Sequence, residues 1–155
     1  MLEIKNLTVE VDGKEIIHNL SLQFLPGKVY ALMGPNGSGK TTLAYALSGH
    51  PRYKITEGSI NLDGKEITFS KPQERSKLGL FLSFQNPVEI SGVSISNFLR
   101  NIVNIRREKP YTVLEFHTLL KETMARLKMD PGFGKRQVNK GFSGGEKKRA
   151  EILQL

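Results

Sequence analysis

Apolar and polar residues alternate from Leu2 to Val11 and again from Lys14 to Phe24, the period of a half-buried strand. The Asp12-Gly13 pair between them is a hairpin turn. In the second strand Leu20, Leu22 and Phe24 share a face, and Pro26-Gly27 ends it. Val29 to Met33 is then a continuous apolar run, expected as a strand buried on both faces of a parallel sheet. A helical stretch from Leu43 to Ser48 buries Leu43, Ala44, Ala46 and Leu47 and stops at Gly49 and Pro51. Ser59 to Leu62 and Glu66 to Phe69 flank Asp63-Gly64 as a second hairpin. A short helix over Pro72 to Ser76 leads into an apolar strand, Leu78 to Phe84, closed by Gln85 and the turn pair Asn86-Pro87. Antiparallel hairpins around buried parallel strands make an α/β chain with a mixed sheet.

Beyond Asn86 the apolar period lengthens to that of helices. Ser94 can cap a helix carrying Ile95, Phe98, Leu99, Ile102 and Val103. Thr112 to Glu115 is a capping box that opens a longer amphipathic helix with Phe116, Leu119, Leu120, Met124 and Leu127. Asp130-Pro131-Gly132 breaks it, and Asn104 to Pro110 reads as an exposed charged connector. These stripes are read as core packing. The expected organisation is a nucleotide-binding core with an antiparallel β subdomain over 1–92, a helical subdomain over 93–142, and a separate motif and helix over 143–155.

Composition narrows the function classes. With 38% hydrophobic residues in 155, the chain can bury a soluble core, and no apolar run approaches membrane-spanning length. Direct membrane insertion is therefore not expected. Cysteine is absent, which removes disulfides and thiolate metal sites and makes a cytoplasmic location the expectation. His18, His50 and His117 are scattered without ligand spacing. The net charge of +8 raises a nucleic-acid partner, but the basic residues are dispersed and do not interleave with aromatics. A solvated basic surface, with no nucleic acid bound, is the expectation.

Between the apolar run and its helix lies GPNGSGKTT: Gly34, Pro35, Asn36, Gly37, Ser38, Gly39, Lys40, Thr41 and Thr42. Gly34, Gly39, Lys40 and Thr41 fill the fixed places of G-x-x-x-x-G-K-[ST]. Glycines admit positive φ and bring successive N–H groups close to a polyphosphate. A helix beginning near Lys40 points its positive end at the same anion. Lys40 can reach the β- and γ-phosphates and supply transition-state charge, and the Thr41 hydroxyl can ligate Mg²⁺. The expected ligand is the polyphosphate of a nucleotide, with magnesium.

A second constellation is Ser143-Gly144-Gly145-Glu146, on local grounds a capping box. Its two glycines at the first helical positions weaken the helix but leave its N–H groups approachable by a phosphate from another molecule.

GPNGSGKTT, then Gln85 after an apolar strand, then FSGGEKKRAEILQL, resembles the ABC-type ATPases across essentially the whole chain. More narrowly, FQNPVEISGVS with GFSGGEKKRAEILQ is similar to the SufC branch, which serves the SUF iron–sulfur cluster assembly machinery. The resemblance implies a P-loop fold in which ATP sits on Gly34 to Thr42 of one subunit. Ser143, Gly144, Gly145 and Glu146 of a second ATPase subunit would then cover it in trans. It implies that Gln85 contacts Mg²⁺ or the attacking water. It implies SufB/SufD-type scaffold proteins as partners. The nucleotide-binding subunit of an ABC transporter shares every phosphate-contacting residue and is the alternative; a nucleotide-binding fragment without hydrolysis is the other. Departures are Val11, where many relatives stack an aromatic residue on adenine, and Glu146, where transporters often carry glutamine. An acidic general base and a switch histidine, which the family places after the signature helix, are not among these 155 residues. The chain alone is therefore expected to hydrolyse ATP poorly, with a complementary C-terminal chain expected to restore activity.

Overall fold

A computed structural model describes residues 1–155. They form two compact units, Met1–Leu82 and Ser83–Leu155. Residues 83–92, grouped with the nucleotide-binding core on sequence, lie in the second.

The first unit is built on a four-stranded antiparallel sheet in the order β2-β1-β3-β4. Strands β1 (Leu2–Val11) and β2 (Lys14–Phe24) form the expected hairpin, with Val11 opposite Lys14. Strand β3 (Tyr53–Leu62) pairs along the other side of β1, from Leu2–Leu62 to Val11–Tyr53. Val11, at the expected adenine position, thus lies between Lys14 and Tyr53. Ile4, Leu7, Val9, Ile17 and Ile60 form the sheet's buried face against Leu43 and Ala46 of helix α1 (Lys40–Ser48). The β1–β3 register slips between Lys5 and Thr8, and Gly58 lies at that irregularity with φ +84°. A Cβ on Gly58 would fall 2.4 Å from the carbonyl oxygens of both Lys5 and Asn6. Gly58→Ala should therefore cost at least roughly 1–3 kcal/mol, the cost of a forced positive φ before the clash is added. Urea unfolding of the variant measures the loss; unchanged stability would show that the sheet can relax there.

Two strand expectations fail. Val29–Met33 and Leu78–Phe84 adopt no strand pairing, and Val29 and Met33 are almost wholly exposed. A parallel strand is held by neighbours, and every ladder this chain forms is antiparallel. The apolar run is present without a partner to pair with it. The second hairpin is also shorter than expected, since β4 is only Lys65–Glu66. Thr68 explains it: its buried hydroxyl accepts the Ile60 N–H at 2.9 Å, taking a ladder position with a side chain. Helix α2 (Pro72–Lys77) follows as expected.

The second unit packs helices α3 (Ile95–Ile105), α4 (Val113–Arg126) and α5 (Gly144–Ile152) with a 3₁₀ turn at Pro131–Lys135. A two-stranded ribbon joins β5 (Ile90–Ser94) to β6 (Gln137–Val138). Ile95, Leu99, Phe116, Leu120, Met124 and Phe133 are buried together, and Ala150 and Leu153 of α5 belong to the same cluster. Hence α5 is part of this core. Leu119, expected in the stripe, faces outward. Asn104 lies in α3 and is half-buried; its side-chain amide brackets Tyr111, donating to the carbonyl and accepting the N–H, while residues 105–110 are exposed. No helix is long and apolar enough to cross a membrane.

Candidate functional site

Helix starts separate the two predicted phosphate-contacting motifs from one another. Ser94, Thr112 and Ser143 each accept a backbone N–H with the side-chain oxygen, at the heads of α3, α4 and α5. Helix α1 has no such cap: its N-cap is Gly39, at φ 86° in the left-handed region. The first-turn N–H groups of Lys40, Thr41 and Thr42 have no intrahelical acceptor, as at any helix start, and no side chain substitutes. Gly37 also has positive φ, so the backbone turns back on itself here as anion-binding concavities do. The backbone fits a phosphate.

Lys40 completes the loop. Its Nζ donates to the carbonyls of Gly34 and Pro35, each at 2.7 Å, so the chain from Gly34 curls over the ammonium. Ser38 N–H closes a turn onto the Pro35 carbonyl. A Cβ on Gly34 would meet the Ser38 hydroxyl at 2.7 Å, which leaves no room for a larger residue without shifting that side chain. Thr41 is exposed, with its hydroxyl at the head of the helix. No cluster of three or more histidine, aspartate or glutamate side chains offers a metal site of its own. A cation at this loop would therefore rest on Thr41 and on the phosphates.

At the second motif Ser143, Gly144 and Gly145 are exposed, and space around both glycines is open. The capping box is complete: Ser143 Oγ accepts the Glu146 N–H at 3.3 Å and Glu146 Oε2 accepts the Ser143 N–H at 2.7 Å. The other Glu146 oxygen accepts from Arg136 Nη1 at 2.9 Å. Both carboxylate oxygens of Glu146 are thus engaged within the unit. Arg136 lies over the rings of Phe133 and Phe142, 4.4 and 4.5 Å from their centroids, and donates to the Gly141 carbonyl at 3.1 Å. The two rings touch each other, 4.6 Å between centroids, and the arginine lying over both ties the Gly141 carbonyl ahead of Ser143 to this aromatic pair.

The Ser143 N–H and hydroxyl, followed by Arg136, hold the Glu146 carboxyl below the usual carboxylate range. Thr112 does the same for Glu115, through its N–H first and then its hydroxyl. A depressed carboxyl stabilises the fold above its unfolded pKa, near 4.3, and that stability is lost as pH falls through the lower folded value. Acidification from about pH 6 to about pH 3 should therefore fray the starts of α4 and α5 before α1, which has no carboxylate in its first turn. Amide exchange by helix checks this; simultaneous loss of all three would show that the boxes do not set local order.

Gln85 lies in a bend after Phe84, exposed, in the Ser83–Leu155 unit, whereas Lys40 and Thr41 belong to Met1–Leu82. Three charged residues that organise these elements escaped sequence reasoning: Arg75, Arg136 and Glu151. Nothing local marks Arg75 and Glu151, whose partners lie up to 29 and 68 residues away, whereas Arg136 reaches partners within ten residues.

A glycine-rich loop feeding an uncapped helix, beside an antiparallel sheet, with a helical unit ending in a Ser-Gly-Gly helix start, defines the ATPase cassette of ABC proteins, a P-loop NTPase fold. The ABC transporter family profile matches residues 17–155, and the chain belongs to that family. Vegetative protein 296 of Bacillus subtilis is 50% identical over 156 residues, covering 99% of this chain and 60% of its own length. The probable ATP-dependent transporter ycf16 of Cyanophora paradoxa is 49% identical over 159 residues, covering all of this chain and 61% of its own. The chain thus spans about three fifths of these relatives. Among solved structures, the bacterial ABC transporter cassette MJ0796, determined as a dimer, superposes with a TM-score of 0.81. The match covers 99% of this chain and 68% of that one, and at 22% identity it speaks for the fold.

Proposed function

We propose that Gly34–Thr42 hold the phosphates of ATP and that Ser143–Gly145 of a second copy close over them. The observation that carries this is the contrast in helix starts: α1 keeps its N–H groups uncapped behind Gly37 and Gly39, and Lys40 supplies a positive charge beside them. Thr41 would hold Mg²⁺, which neutralises charge on the phosphates when bound, and Gln85 keeps the nucleotide-reporting role that the family resemblance implies. Glu146 serves the second site indirectly, because its carboxylate is committed to Ser143 and Arg136. Solved cassettes of this fold include a dimer and a dimeric post-hydrolysis state bound to ADP and Pi, which supports a two-copy site.

Hydrolysis is then a property of the whole protein, for which the work performed is iron–sulfur cluster assembly on SufB/SufD-type scaffolds. FQNPVEISGVS and the Glu146-Lys147-Lys148-Arg149 tail favour that branch. The names of relatives such as ycf16, a probable ATP-dependent transporter, favour the second reading, a transporter subunit. Calorimetric titration with Mg·ATP should give saturable one-to-one binding, and no heat would overturn the nucleotide reading. The full-length protein should be retained by immobilised soluble scaffold and not by permease-containing vesicles; the opposite pattern selects the transporter.

A further inference from the structure

Glu151 is the one carboxylate among the buried polar residues, 3% exposed in the last turn of α5. Nothing in the proposed nucleotide chemistry uses it. Its Oε1 accepts the Phe84 N–H at 2.7 Å, and its Oε2 accepts the Ser83 hydroxyl at 2.6 Å. Lys148, one turn earlier, donates to the same carboxylate and to the Phe84 carbonyl, both at 3.1 Å. The backbone of Phe84 is therefore held at both polar ends by two side chains of a single helix. Residues 83–86 belong to no strand or helix, so no ladder fixes them. The next residue is Gln85. The other end of α5 is Ser143, about 12 Å away at 1.5 Å per residue.

We propose that Glu151, with Lys148, is a positioning residue that clamps the Phe84–Gln85 peptide to α5, so that Gln85 and the Ser143 helix start move as one body. Nucleotide sensed at Gln85 and phosphate closure by Ser143 are then two ends of a rigid rod. Burial alone would push the Glu151 carboxyl up, but the bonds from Ser83, Lys148 and Phe84 outweigh it and leave the group below the ordinary range. It is an ionised acceptor near neutral pH, and charge-assisted bonds of this kind are strong. The functional half of the proposal rests on the roles given above to Gln85 and Ser143; the clamp itself is tested without them.

The test compares Glu151→Gln with Glu151→Met in the 155-residue chain. Both fill the volume, and only glutamine keeps an acceptor for the Phe84 N–H. Exchange of the Phe84 amide should accelerate at least about tenfold in the methionine variant and clearly less in the glutamine variant, with α4 amides unchanged. Equal exchange in the two variants would mean that Glu151 only fills space, and the clamp would be overturned. Should Glu151→Met unfold, Lys148→Met, at a half-exposed position, reads the same peptide from its carbonyl side. The ¹⁵N order parameter of Gln85 should fall in that variant, and an unchanged value would overturn the clamp. The Mg²⁺ dependence of ATP affinity separates the two layers. Glu151→Met should reproduce the change caused by Gln85→Ala. A Gln85→Ala chain with unaltered Mg²⁺ dependence would remove the Gln85 reading while the exchange comparison still decides the clamp.

Discussion

Replacing Arg75 with methionine should destabilise the Met1–Leu82 unit by on the order of 3–5 kcal/mol, among the largest single-residue losses in this chain. The side chain is 2% exposed and donates four hydrogen bonds, all to backbone carbonyls. Nη1 reaches Ala46 and Leu47 at 2.8 Å each, Nη2 reaches Thr68 at 2.7 Å, and Nε reaches Ser70 at 3.0 Å. Ala46 and Leu47 are in the last turn of α1, which contains no basic residue of its own. Arg75 therefore donates to the Leu47 carbonyl, shares the Ala46 carbonyl with the Gly49 N–H, and places positive charge at the negative end of the helix dipole. Methionine fills the space but withdraws all four donors, leaving the Ala46 carbonyl only the Gly49 N–H at 3.0 Å, and each buried carbonyl left unpaired costs about 1–3 kcal/mol, not additively. Lysine should recover less than half, because a single ammonium cannot span the fork that a guanidinium provides. Urea unfolding with amide exchange resolved along α1 makes the measurement. A loss below about 1 kcal/mol would mean that water replaces the guanidinium. The consequence reaches function, because the same helix presents Lys40 and Thr41 at its other end.

Lys40→Ala should weaken Mg·ATP binding roughly tenfold to a hundredfold, the equivalent of one charge-assisted contact at about 1.5–3 kcal/mol. In this structure the ammonium is held by the Gly34 and Pro35 carbonyls, so phosphate takes over a charge that is already in place. Preorganisation of this kind lowers the ordering cost of binding. Losing the side chain removes both the charge and the closure of the loop. ATP should suffer more than AMP, because the ammonium serves the distal phosphates. Equal losses for ATP and AMP would point to a collapsed loop, and unchanged ATP affinity would mean that Gly34–Thr42 is not the site. Amide exchange in α1, unperturbed in the variant, guards against simple unfolding.

How much of this was legible beforehand follows from the range of each interaction. Hairpins at Asp12-Gly13 and Asp63-Gly64, the caps at Ser94, Thr112 and Ser143, and the loop from Gly34 to Thr42 are each decided within a few residues. Backbone preference and neighbouring side chains fix them, so sequence sufficed. Val29–Met33 shows the limit: a run of strand-forming residues becomes a strand only when another strand supplies its hydrogen bonds.

The buried charges show the same limit from the opposite side. Arg75 sits in PQERSK and Glu151 in GGEKKRAEI, segments whose composition reads as solvated helix surface. Their burial depends on carbonyls and amides brought in from 28, 29 and 67 residues away. Sequence by itself determined the Gly34–Thr42 loop, the turns and the helix starts, because their physics is local. Tertiary structure alone decided which charged side chains lock those elements in place, because a buried charge is defined by the partners that chain folding delivers to it.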